Sequence, residues 1–321
     1  MTDAAVNDNV YDGLAEVHDG DARWAFGAGF SDVEVEITAP VPEGVDPVDL
    51  AAYCLMLGDD ALICSHRLSE WVSNAPELEE EVALANIALD LLGQARMLLS
   101  RTAHVEGSGS GSTAGSASSA GSGRVAGCAG RDEDGLAYFR TEREFRHVAL
   151  AELPDGLDFA RAIARLLIFS SWRLALLHRL LGSRDPVLAA VAGKGVKEVT
   201  YHRDYAARWT LRLGDGTAQS HRRMQAALEA VWPHVDELFR TSDVERRLVE
   251  VGVAVDPAQT RAEVDTVLDE VLARATLARP QRSPTGTLAG RAGRDGVHTE
   301  HLGHLLAQMQ SLARQHPGAS W

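Results

Sequence analysis

From Pro47 onward, apolar residues recur at steps of three and four, often over 20 or more residues, a spacing that gathers them onto one side of a helix. Leu57, Ala61, Cys64, Leu68 and Trp71 form the clearest stripe. The spacing predicts a first helix that stops near Asn74-Ala75-Pro76. A second opens on Glu77, Glu79, Glu80 and Glu81, acids suited to the positive end of a helix dipole, and runs to about Val105. Further helices are predicted over Asp134 to Glu152, Leu157 to Leu181, Pro186 to Leu213, Thr217 to Arg240, Arg261 to Leu277 and His298 to Gln315. No stretch alternates β-branched residues with period two; Val33 to Thr38 is too short. The expected class is all-α, with four long helices fitting a ferritin-like bundle.

Composition removes other options. The 321 residues carry 31 Lys+Arg against 46 Asp+Glu, a net charge of −15, and are 45% hydrophobic. That balance suits a globular chain and disfavours nucleic acid or an anionic membrane as partners, both of which attract basic faces. Cys54, Cys64 and Cys128 form no close-spaced pair, which fits a reducing compartment. The first 20 residues hold neither Lys nor Arg and no apolar core of a secretory signal. No uncharged apolar run approaches the roughly 20 residues of a membrane span, so a cytoplasmic location is expected. Residues 1–46 read as an acidic extension. Residues 47–316 read as one helical domain interrupted by an insertion at 107–130, whose stretch Gly107 to Gly123 contains only Gly, Ser, Ala and Thr and is expected to be a flexible tether.

Polar residues within the predicted helices define the chemistry to be tested. On the second helix Asn86, Asp90 and Gln94 follow at steps of four among Leu84, Ile87, Leu91 and Leu98. Such a line is either a solvated face or a polar stripe turned into the bundle. On the helix after Pro186, Glu198 and His202 stand four apart beside Tyr205 and Trp209. They are either a hydrogen-bonded pair satisfying itself or a metal-ligand pair.

A di-iron carboxylate bundle takes a Glu from each of two helices and Glu-x-x-His from each of the other two. The chain does not meet that count. The first helix offers Asp59 or Asp60. The second has Gly93 where the histidine belongs, Leu157 to Leu181 contains no acid after Asp158 at its start, and Glu198 meets Tyr201 at the third position with His202 one residue late. Glu144-Phe145-Arg146-His147 matches by letter but lies in a charged run, which predicts a solvated helix face. His298, His301 and His304, three apart, are expected to be surface histidines at a helix start. No Gly-rich phosphate loop or Gly-x-Ser-x-Gly elbow is present.

Several blocks then point to a family: Leu57-Gly58-Asp59, Ser69-Glu70-Trp71, Ala75-Pro76-Glu77-Leu78, and Ala83 to Ile87 running into Asp90-Leu91-Leu92-Gly93-Gln94-Ala95-Arg96. Ser183 to Pro186, Lys197-Glu198 with Tyr201-His202, Arg212 to Thr217, Glu300 to Gly303 and Leu305 to Gln310 continue them. Over about Pro47 to Gln315 the chain resembles the C-subunit family of ring-1,2-phenylacetyl-CoA epoxidases, also called phenylacetate-CoA oxygenases. The resemblance implies a noncatalytic structural subunit of a multicomponent monooxygenase in aerobic phenylacetate catabolism. It implies a catalytic A subunit that carries the di-iron site, and a reductase component with NADPH, flavin and iron-sulfur that supplies electrons. The reaction implied is insertion of one O₂ oxygen across the aromatic ring of phenylacetyl-CoA. This chain would then have no catalytic residue, metal or cofactor of its own. Asp60, Asp90, Gln94, Glu198 and His202 would be a vestigial, buried polar cluster whose members pair with one another. The competing reading is a ferritin-like metal-binding oxidase acting on its own.

Overall fold

The computed structural model describes residues 36–109, 132–317 and 319. The acidic stretch before Glu36 and most of the Gly/Ser/Ala insertion lie outside these residues. Ten α-helices are described: α1 Pro47–Ser69, α2 Leu78–Gly109, α3 Glu133–Tyr138, α4 Ala149–Glu152, α5 Phe159–Leu180, α6 Pro186–Gly214, α7 Ala218–Val231, α8 Asp243–Glu250, α9 Arg261–Arg274 and α10 Glu300–Gln315.

Four of them form a bundle whose directions can be read from side-chain contacts. Thr102 Oγ1 meets the Ala51 carbonyl and Ser65 Oγ the Ala88 carbonyl, so α1 and α2 run antiparallel. Arg173 reaches the Leu57 carbonyl and Arg165 the Cys64 sulfur, which makes α5 antiparallel to α1. Gln94 meets Glu198 and Asp90 meets His202, which makes α6 antiparallel to α2. Two hairpins, α1–α2 and α5–α6, are thus joined by one long crossover, the connectivity of ferritin-like bundles.

Local chemistry explains the helix starts. Asp46 and Asp185 accept from the amides of Val48 and Leu188, and each is followed by a proline, which suits the first helical position. Gly195 allows the close approach of α6: a Cβ there would lie 3.0 Å from Leu177 and 3.4 Å from Gln94. The core joins Leu50, Tyr53, Ile63, Trp71, Leu167, Phe169 and Trp172 in one cluster.

Two sequence expectations need correction, and a third, that no uncharged run is long enough to span a membrane, stands with an addition. The stretch from Asp134 to Glu152 is two short helices separated by an irregular segment. There the Arg146 amide donates to Asp59, the Val148 amide to Asp60 and the Ala149 amide to Glu237, so long-range carboxylates replace the carbonyls of a continuing helix. The helix from Thr217 ends at Val231, because Pro233 cannot donate into it and the chain tightens into 3₁₀ turns. Finally, Leu78–Ser108 is long and apolar enough in composition to cross a membrane, and half of its most apolar window is buried inside the protein.

Candidate functional site

Between α2, α5 and α6 lies a polar group in an apolar setting. Gln94 is fully buried, and its Nε2 donates to Glu198 Oε2 at 2.8 Å. Its Oε1 accepts from Arg173 Nε at 2.9 Å, while Arg173 Nη1 reaches the Leu57 carbonyl at 3.3 Å. One turn away His202 Nε2 is 3.0 Å from Asp90 Oδ2. The stripe predicted on α2 therefore turns inward along its length: Asn86 and Asp90 are half-buried and Gln94 is enclosed. Burial pushes the Glu198 carboxyl up to about 7, against the hydrogen bond from Gln94, with the Asp90 charge adding to the rise. Burial also lowers His202.

Four of the five residues expected to cluster do so, and Asp60 does not. Its carboxylate is held by Arg294 at 2.8 and 3.0 Å and by the Val148 amide at 2.9 Å. The neighbouring Asp59 is taken by Arg140 and by the Arg146 amide at 2.8 Å. Arg101–Asp185 and Arg165–Asp155 extend the same pattern of buried pairs. These arginines carry no periodic signal in the sequence. Arg173 is surrounded by the apolar α5 sequence, and its partners lie on other helices.

The donor set does not fit a di-iron centre. Asp59 and Asp60 of α1 are already neutralised by guanidinium groups, α5 contributes a buried cation where two metal ions would need a carboxylate, and Gln94 of α2 offers an amide. The void beside Arg173, lined by Leu57, Leu98, Leu176 and Leu177, measures about 10 Å³, room for roughly one water.

A second polar group sits where α4 and the start of α10 meet. His147 Nε2 is 2.6 Å from Glu152 Oε2, and His298 Nδ1 is 3.2 Å from that same oxygen. The two imidazoles stack with centroids 4.3 Å apart. Glu152 Oε1 accepts from the Thr299 amide at 2.6 Å, and His298 Nε2 donates to the Phe145 carbonyl at 3.0 Å. All three side chains are removed from solvent. Burial by itself would raise Glu152, but the hydrogen bonds and charges of the two histidines hold it well below the usual carboxylate range. Burial would likewise lower His298, and Glu152 more than offsets this, raising it.

Two sequence expectations are overturned here. His147 does not belong to a solvated helix face, because the segment is irregular and turns the ring inward; Glu144 instead caps the turn by accepting from the Thr141 amide. Nor do His298, His301 and His304 share one environment. His298 precedes α10 and points into the protein, His301 is half-buried and His304 is exposed. The cue available in the sequence, two histidines and a Glu spread over 152 residues, has no spacing by which it could be recognised.

Residues 42–321 match the phenylacetic acid catabolic protein family. The chain belongs to this family. It is also 43% identical over 272 residues to a protein of Escherichia coli K12, the C subunit of 1,2-phenylacetyl-CoA epoxidase, in an alignment covering 85% of this chain and 99% of that protein. The sequence blocks of α1, α2, α6 and α10 that carry the resemblance all lie within the residues matched to the phenylacetic acid catabolic family.

Proposed function

We propose that this chain is the noncatalytic, structural subunit of a cytoplasmic 1,2-phenylacetyl-CoA epoxidase, binding a di-iron catalytic subunit and supporting its bundle. The observation that carries the proposal is the charge arrangement inside the bundle. Arg173, Arg140 and Arg294 occupy or neutralise the positions from which a metal pair would be held. Adding two iron ions to an interior already compensated by guanidinium groups would leave several positive charges without carboxylates, a cost of several kcal/mol per uncompensated ion. Likeness to the C subunit of the Escherichia coli epoxidase supplies the reaction context.

On this reading, Asp90, Gln94, Glu198 and His202 are remnants of a metal site that now serve as internal hydrogen-bond groups. The work of the chain is binding. Leu78, Val82, Ala85, Leu89 and Leu92 recur at alternating steps of four and three along α2, and Leu78, Val82 and Leu89 are more than half exposed. Such a seam suits packing against a partner helix. The partner would perform the oxygen insertion, with electrons from a reductase.

The test is iron content of the chain purified alone and after coexpression with a di-iron catalytic subunit of such an epoxidase. Iron confined to the complex, and lost when the partner's own ligands are replaced, is the expected result. Stoichiometric iron in this chain alone, removed by Glu198→Ala, would instead identify it as an oxidase in its own right.

A further inference from the structure

The group His147, Glu152 and His298 buries a carboxylate between two imidazoles, with one ring nitrogen facing a carboxylate oxygen. The Phe145 carbonyl can only accept, so His298 Nε2 carries a proton. In the neutral ring Nδ1 then presents a bare lone pair, 3.2 Å from the lone pairs of Glu152 Oε2. His298 Nδ1 is buried and has no partner besides that oxygen. Two acceptors facing each other in a dry interior repel unless a proton or a metal ion stands between them, and this arrangement can take either.

We propose that His147 Nε2, Glu152 Oε2 and His298 Nδ1 form a binding site for a single divalent transition metal of the zinc class. The three donor atoms lie within 4.8 Å of one another. Two imidazoles and one carboxylate are a donor set zinc accepts, and ligands about 2.0–2.1 Å from a tetrahedral ion stand roughly 3 Å apart. Pairs at 2.6 and 3.2 Å must open toward that separation, and the two nearly parallel rings must tilt for both lone pairs to meet at one ion. The supporting contacts are also those of a metal site: His298 donates its other ring N–H to a backbone carbonyl, and the free oxygen of Glu152 is fixed by the Thr299 amide. Binding would displace the proton that His147 Nε2 shares with Glu152. A cleft of about 290 Å³ has Ala149, His298 and Thr299 in its wall, while the three donor side chains themselves are sealed from solvent.

The site is separate from the α2–α5–α6 group and independent of the proposed role in the epoxidase. Its consequence is mechanical: the ion would pin the start of α10 to α4 and to the segment before it.

The untagged full-length chain, stripped with a chelator, is loaded with excess Zn²⁺ alone, desalted and analysed for metal. About one zinc per chain is expected. His298→Gln and His147→Gln should each lower it at least tenfold, whereas His202→Gln should leave it unchanged. Loading should raise the Tm of the wild-type chain and not that of His298→Gln. Should the variants fold poorly, Co²⁺ loading of the wild-type chain gives a second readout, with the strong visible bands of a four-coordinate nitrogen and oxygen site expected. Substoichiometric zinc with no such bands would overturn the proposal, as would zinc retained by both histidine variants or lost with His202→Gln.

Discussion

The two polar groups of this protein are built from similar residue types and neutralised in different ways. Between α2, α5 and α6, Gln94 accepts from Arg173, a cation that stays charged at every accessible pH, and links it to Glu198. Where α4 meets α10, the Glu152 carboxylate has His147, His298 and the Thr299 amide, and Arg67 reaches only the Glu152 backbone carbonyl. A fixed organic cation makes the first group self-sufficient and closes it to metal. Imidazoles make the second conditional, because their charge depends on protonation and their nitrogens can serve a metal.

The contrast is tested most severely at Asp60. Asp60→Ala strands the Arg294 guanidinium in the core and should cost about 3–5 kcal/mol in urea unfolding. The loss should be nearly constant from pH 6 to 9, since the remaining charge is an arginine. A loss below about 1 kcal/mol would mean that the guanidinium groups are not what compensates the bundle interior.

Glu152→Ala should come next, at about 3 kcal/mol, because the Thr299 amide and two imidazoles lose their acceptor. Its signature is local. Amide exchange should accelerate in α10 and around His147 while α2 and α6 stay protected. Uniform acceleration across the bundle would join the two groups into one cooperative unit and erase the distinction.

The smallest effect concerns Glu198. Its folded carboxyl sits near 7, above the ordinary 4.5, so the folded state binds the proton more tightly and stability falls as pH rises from 4.5 through about 7. His202, lowered from 6.5, works in the opposite sense, costing stability as pH falls through that value. Glu198→Gln removes only the first dependence. It should be near wild type at pH 5 and more stable by about 1–3 kcal/mol at pH 8, measured by denaturation at both pH values. A variant that is less stable at pH 8 would show that the ionised carboxylate is a favourable partner of Arg173.

Much of the first group is legible in the amino-acid order alone. Asn86, Asp90 and Gln94 at steps of four, and Glu198 and His202 at the same step, lie on single helical faces, and periodicity reports faces directly. Periodicity does not say which face turns inward, and the degree of burial changes within α2 itself. The place of Asp60 on α1 is compatible with membership of that group; Arg294, 234 residues away, takes it elsewhere. The segment from Arg140 to Val148 reads as helical by its charge pattern and is irregular because its amides serve Asp59 and Asp60.

What the sequence by itself determined is the class of the molecule, its long helices, their caps at Asp46 and Asp185, and the polar pairs carried at helical spacing. These follow from interactions within about four residues, which local order encodes. Tertiary structure alone decided which cation meets which carboxylate, and that His147, Glu152 and His298 meet at all. Those contacts cross elements far apart in sequence and are selected by burial, where an unpaired charge is too costly to keep and any partner within reach is taken.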